Sequence, residues 1–451
     1  MRLLAVDFPF APRRFPVFYG WVVAVVGTIG VCASVPGQTT GFAAFQAFIA
    51  EDAAVTDELL STAYLFGTVG SGLILPFCGR LFDLMGARLF TVLTGIFFGL
   101  SLLYMAAVLW ISETMEALAV QLHLAPEWGD FAALAVGIFG IRFFGQGTLT
   151  MASRAMIGKW FNVRRGLVMS LSMMLMSLVF PISTWVFLRG ILWVGWSWVY
   201  VILAILCGFL MALIAALFFR DNPEECGLRM DDGAEASASQ RSNPELTVRR
   251  EMSLREALCT WSFWSFNLTA AFGAFFVTGF TYHIVSIGAE SLHSAEESVL
   301  LLLPMAVIGL IASLGVAWLL DRVRLKFMNI AMSLALAATA LGIVFLPNPA
   351  GYGLLYIGGG VAMSIFQPLT GTVWPRFFGR QHLGAISGFN MSSIVIASGF
   401  APLVFIALSK EFGSFDAPLV VSAATAVLLA VGAFWGENPQ RHLGEAIAKP
   451  G

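Results

Sequence analysis

Long apolar runs succeed one another along the whole chain, separated by short breaks rich in charge, glycine and proline. Twelve can be delimited, at about 17–49, 59–79, 89–110, 131–153, 167–188, 196–219, 262–286, 298–320, 327–347, 352–373, 384–408 and 416–435. About 20 apolar residues cross a bilayer as a helix. In lipid every backbone polar group must be satisfied internally, which leaves helices or closed barrels. Barrel strands would be segments of about ten residues with strict alternation; these runs are longer and do not alternate. Twelve transmembrane helices are therefore predicted. Of the 451 residues, 58% are hydrophobic and 12% charged, against about 25% charged in a soluble domain. That balance excludes a cytosolic enzyme, a nucleic-acid binder and a disordered chain. The net charge of −2 offers no global field for a polyanion, so the expected surroundings are a lipid bilayer, with no nucleic acid.

Lysine and arginine set the orientation. With the N-terminus inside, the inner segments hold Arg13, Arg14, Arg80, Arg88, Lys159, Arg164, Arg165, the basic residues of 220–255, Arg322, Arg324, Lys326, Arg376, Arg380 and Arg441. The outer segments hold only Arg189 and Lys410. Both termini are expected in the cytoplasm and the protein in the plasma (bacterial inner) membrane. The first run is too long for a signal peptide and reads as an uncleaved span. The five cysteines show no metal spacing and read as free thiols.

One long polar segment, 220–261, divides the spans six and six. Its Ser-, Glu- and Pro-rich part reads as a linker, and SLREALCTWSFW as a short amphipathic helix on the membrane surface. The expected organisation is an N-terminal six-helix bundle (1–219), the linker (220–261), and a C-terminal six-helix bundle with a short tail (262–451). The segment 111–130 is long for its place and reads as an outer cap. The halves echo each other: GRLFDLMGAR (79–88) returns as AWLLDRVRLK (317–326), and KWFNVRRGL (159–167) as RFFGRQHLGA (376–385). Paired repeats are a recurrent transporter design, with substrate near the midplane.

Gly79-x-Leu81-x-Asp83-x-x-Gly86-x-Arg88 resembles the signature loop of the major facilitator superfamily, and Arg142-Phe-Phe-Gly145-Gln146-Gly147 its fourth-span motif. The resemblance implies two pseudo-symmetric six-helix bundles with spans one, four, seven and ten lining a cavity. It also implies a gate built on Gly79, Asp83, Gly86 and Arg88. The second copy keeps Asp321, Arg322 and Lys326 but replaces its glycine positions with Ala317 and Arg324, so a looser C-terminal gate is expected. PVFYGWVVAVVG, NPEECGLRMDDG, SLREALCTWSFW and WPRFFGRQHLGAISG together look like the bacterial monocarboxylate-porter and oxalate/formate-antiporter-like branch. That branch moves small carboxylates with a proton or in exchange for another anion. The cations expected of it late in span one and in span eight are absent from SVPGQTTG (34–41) and from 298–320.

Ionisable groups inside a span are costly and functional by default. Arg142 falls roughly 16 Å into its span, near the midplane. It is either an anion-binding residue or a structural arginine bonded to helix carbonyls. His283 lies in the outer third of span seven and could titrate near neutrality, or simply anchor the interface. Gln38, Thr39, Gln146, Tyr282, Gln367 and Asn390 complete the candidate substrate site, with amide glue between helices as the alternative role. Asn267 is a weaker candidate. No acid lies at mid-span, and no P-loop, zinc motif or catalytic cluster occurs. No cofactor and no metal are expected. The expected function is a monomeric secondary transporter for a small-molecule substrate, most simply a small organic carboxylate, with a proton or counter-substrate. The alternatives are a porter of a neutral or weakly polar metabolite and a non-transporting receptor on the same fold.

Overall fold

The computed structural model describes residues 7–233, 248–291 and 300–441. Among these, ten helices are long and apolar enough to cross a membrane. One of them, Leu59–Ala106, is double length. It bends at Gly86, where φ is +78°, and so supplies spans two and three. Arg165–Val194, 30 residues long, supplies span five. The described residues thus make twelve crossings.

The chain divides into two compact units. One comprises residues 1–160, 176–232 and 387–392; the other comprises 161–175, 233–386 and 393–451. In the first unit, span one does not run unbroken from 17 to 49. Its helix Tyr19–Ala33 ends in a 3-10 turn, Val35–Gly37, followed by two short helices, Thr39–Ala43 and Gln46–Asp52. Pro36 removes a backbone donor, which ends the helical ladder. Span four runs Glu127–Ile141, then a π-helical stretch Arg142–Leu149, then Thr150–Trp160. It is seven residues longer at its basic end than the apolar run indicates. Span six carries a second π stretch, Ala204–Leu210.

Lipid tails are as apolar as leucine, so helices here associate through close packing rather than by leaving water. Small residues four apart permit it. A Cβ on Gly208 of span six would lie 2.3 Å from Gly99 Cα of span three, and one on Gly95 would lie 2.9 Å from Ala212 Cβ. In the second unit, spans nine (Leu325–Val344) and ten (Pro349–Phe377) meet the same way, a Gly342 Cβ falling 2.4 Å from Leu355 N.

The connecting segments are structured. The 111–130 segment is mostly helix, Val108–Gln121, and Ser112 Oγ donates to Asp130. Glu116 hydrogen-bonds the same carboxylate, and this pushes its own carboxyl pKa up. Of the 220–261 linker, residues 234–247 lie outside the described residues. The surface helix is short, Leu254–Leu258, and Ser253 and Glu256 close a reciprocal capping box at its start. The bonds from Ser253 hold the Glu256 carboxyl below its usual range.

Candidate functional site: a buried arginine and its ring of hydroxyls

The break in span one is what builds the site. Gly37 packs against span four so closely that a Cβ there would lie 2.2 Å from Ile141 O. A glycine is therefore required, and its carbonyl is left facing Arg142. Arg142 Nη1 donates to Gly37 O at 3.3 Å and to Thr39 Oγ1 at 3.2 Å. Its Nε donates to Thr68 Oγ1 at 3.2 Å, and the guanidinium sits 5.0 Å from the centre of the Tyr64 ring. Tyr64 OH donates to Thr39 Oγ1 at 3.0 Å. The side chain is 1% exposed. A bare guanidinium at that depth would be prohibitive; a carbonyl, two hydroxyls and a π face offset its desolvation. None of these partners carries a charge, and Nη2 makes no hydrogen bond among the described residues.

One turn along, Gln146 is 8% exposed and its Oε1 is buried without a partner. Another turn on, Thr150 Oγ1 donates to Ser34 Oγ at 3.0 Å, and Gln38 Nε2 donates to Ser34 Oγ at 3.0 Å and to Thr150 Oγ1 at 3.3 Å. Gln38, Thr39, Arg142 and Gln146 are thus brought together, with Ser34, Tyr64, Thr68 and Thr150 added to them. Sequence reading passed over these four. The spacing of Thr150 from Arg142, two steps of four, was the available signal. Asn390 belongs to the same unit and is 4% exposed.

The other candidates lie in the second unit. His283 is 8% exposed, and its Nε2 is 3.0 Å from Pro402 O. Phe405 and Phe415 wall its ring, with centroids at 6.4 and 5.3 Å. Tyr282 is 55% exposed at the end of its helix and packs on His283. Gln367 is half-buried, with its Oε1 unpartnered. Asn267 Nδ2 donates to Ser393 Oγ at 3.0 Å.

Of the residues expected to form a gate, Gly79 lies in the first unit 3.0 Å from where a Gly388 Cβ would be. That places helix-eleven backbone against helix two. Asp83 is half-buried. Gly86 supplies the left-handed turn that separates spans two and three, a conformation L side chains resist. Arg88 Nε donates to Ala216 O at 2.7 Å. Beside it Asp221, missed in the sequence, accepts from Ala87 N at 3.2 Å and pairs with Lys159 at 2.7 Å.

The second copy is not loose. Asp321, 4% exposed, accepts from Gly166 N at 2.9 Å and Leu167 N at 3.0 Å, capping the start of Arg165–Val194. It also pairs with the fully buried Arg376. Against the expectation of a slack C-terminal gate stand these contacts, in which the Asp321 carboxylate is held by two backbone donors and by Arg376. Arg322 lies just past the helix Leu302–Leu320 and stacks 4.7 Å over Trp318 of that helix. Lys326 pairs with Glu437 at 2.5 Å.

The model of the Major Facilitator Superfamily matches residues 26–363. No curated protein matches the chain in sequence. Among solved structures, a variant of the E. coli fucose:proton symporter FucP is similar at 16% identity and a TM-score of 0.63, covering 93% of this chain and 99% of that one. The proton:xylose symporter XylE bound to 6-bromo-6-deoxy-D-glucose gives 14%, 0.67, 96% and 99%. The human organic anion transporter MFSD10 gives 13%, 0.59, 92% and 99%. With three quarters of the chain matched and the twelve-crossing architecture in place, the protein belongs to the Major Facilitator Superfamily.

Proposed function

We propose that the protein is a secondary transporter that moves a small organic monocarboxylate across the bacterial inner membrane by alternating access. Its bundles 1–219 and 262–451 are the alternating halves, its termini are cytoplasmic, and it works as a monomer. The observation that carries the anion reading is Arg142. It is a fully buried guanidinium with no acid among its partners and one nitrogen, Nη2, left over. A carboxylate supplies the charge and the acceptor that the protein withholds. Gln146 stands one turn away with polar capacity unused, and Gln38 and Thr39 fix the wall beside it. Gln367, His283, Tyr282 and Asn390 are secondary lining candidates. Gating falls to Gly79, Asp83, Gly86 and Arg88 in one repeat and to Asp321 with Arg376 in the other, Lys326 bracing the latter and Arg322 peripheral. Two relatives in fold carry sugars with protons and one carries organic anions, so the fold accommodates either chemistry. Coupling rides on the substrate, taken protonated or exchanged, because no mid-span acid is available and His283 is engaged at a carbonyl.

The test is a thermal-shift screen of the purified protein against carboxylates, sugars, amino acids and drugs, followed by Arg142→Gln with the best ligand. A carboxylate should stabilise the wild type and lose more than tenfold in affinity in the variant. Arg142→Lys should fail also, since the planar fork is lost. Equal binding by a normally folded Arg142→Gln would remove the anion reading in favour of a neutral metabolite.

A further inference from the structure

Arg154 stands apart from every other buried or half-buried cation inside the spans. Arg88, Arg142, Lys159, Arg165, Lys326 and Arg376 each have a hydrogen bond or an ion pair. Arg154 has none among the described residues. It lies in Thr150–Trp160, where the ten other residues are all buried and Arg154 alone reaches solvent-accessible surface. A helix face turned to lipid would expose its row-mates too, yet Thr150, Met151, Ile157 and Gly158 are covered. The side chain is therefore only partly covered, on a helix whose other residues are all enclosed. An unpaired guanidinium in a span is tolerated only where water reaches it. Six residues short of Trp160, it lies about 9 Å from the basic end of span four. Arg142, Gln146, Thr150 and Arg154 follow at intervals of four, a row of polar side chains that leads towards the buried arginine.

We propose that Arg154 is a second oxyanion subsite, a water-filled station on the basic side that receives a carboxylate before or after Arg142 holds it. This rests on the anion reading of Arg142. Its action is electrostatic recruitment, which lowers KM for flux from that side, responds to salt, and needs a charge rather than a fork.

The experiment uses the full chain in phosphatidylcholine vesicles with radiolabelled formate and lactate, measured in both directions. For flux from the basic side, Arg154→Gln should raise KM about three- to tenfold at low ionic strength with kcat kept. The difference should shrink in high salt, and Arg154→Lys should restore the wild-type KM. A merely structural arginine would show neither the salt dependence nor the lysine rescue, and that result overturns the subsite. An effect appearing only when phosphatidylglycerol is added would assign the guanidinium to a lipid headgroup and also overturn it. In a background with the five native cysteines replaced by serine, Arg154→Cys should react with an impermeant anionic thiol reagent from the basic side; no reaction overturns the proposal. If the wild type moves neither anion, or Arg142→Gln moves them equally well, the carboxylate reading of the central site fails. The subsite is then decided by thiol labelling alone, so the two failures are told apart.

Discussion

Arg142 in one unit and the Asp321–Arg376 pair in the other are both charges buried inside a membrane protein, yet their surroundings are opposite. Asp321 has a full complement: two backbone donors at a helix start and a guanidinium, in a pair whose side chains are 6% and 0% exposed. Arg142 has only neutral partners, whereas Arg376, whose Nε is likewise without a partner, has the Asp321 carboxylate as its counter-charge. A satisfied buried charge fixes structure. A half-satisfied one is kept for something that comes and goes. Burial in the protein is the same kind of cost for both, so burial alone does not separate support from function; the counter-charge does.

If that contrast is right, the two sites break differently. Asp321→Asn leaves Arg376 buried without its counter-charge, and removing one member of a buried pair costs about 3–5 kcal/mol. The thermal midpoint of the purified protein should fall by several degrees whether or not ligand is present. A midpoint equal to that of the wild type would mean the pair is not structural. Arg142→Gln should do the reverse. Its ligand affinity should drop more than tenfold, equivalent to the roughly 1.5–3 kcal/mol of a charge-assisted bond. The unliganded midpoint should barely move, because the lost partners are hydroxyls and one carbonyl. A large apo destabilisation would place Arg142 with Asp321 on the structural side.

His283 sharpens the comparison from a middle position. Among the described residues its polar partner is the Pro402 carbonyl, and with its aromatic walls this predicts a structural role. His283→Gln keeps a donor for that carbonyl. Uptake in proteoliposomes under an imposed pH gradient should match the wild type. Loss of gradient-driven uptake with exchange intact would instead make it the coupling residue.

The smallest effect is expected at Glu437. The hydrogen bond from Lys326 holds its carboxyl below the ordinary value of 4.5. A depressed carboxylate contributes stability that is present above the unfolded pKa and is lost as pH falls through the folded one. The midpoint difference between wild type and Glu437→Gln should therefore be constant from pH 7 to about pH 5 and vanish in stronger acid. The side chain is 35% exposed, so solvent screening keeps the difference small. A difference that grows on acidification would contradict the pairing.

The spans were legible because lipid imposes a length and an apolar content on each one. Breaks inside them were less so. Val35-Pro36-Gly37-Gln38 carried a turn signal, but the apolar residues on either side masked it, and span one was drawn through to 49. Arg154 was lost for the opposite reason: hydropathy falls off after residue 153, so the run was closed early although the helix continues to Trp160. Arg142, Gln38, Thr39 and Gln146 could be singled out as polar residues in apolar runs. Thr68 could not, since a threonine in a span usually bonds its own helix, and Thr150 offered only its spacing from Arg142. Asp221 and Arg376 were visible only as loop charges. Their roles depend on contacts with residues 55 or more positions away, such as Arg376 with Asp321 and Asp221 with Lys159, which no local pattern encodes.

The π stretch Arg142–Leu149 has a consequence for how span four can vary. A π turn amounts to one residue inserted into an α-helix, which carries the helix beyond it round by about 100° relative to the part before. Deleting a single residue between Phe143 and Leu149 would restore an unbroken α ladder and turn Arg142 out of phase with the rest of its span. The helix would keep its length to within one rise, about 1.5 Å, and its apolar content would scarcely change. The guanidinium would nevertheless leave Gly37 and Thr68 behind. In this span, then, the count of residues and not their polarity sets where the positive charge points.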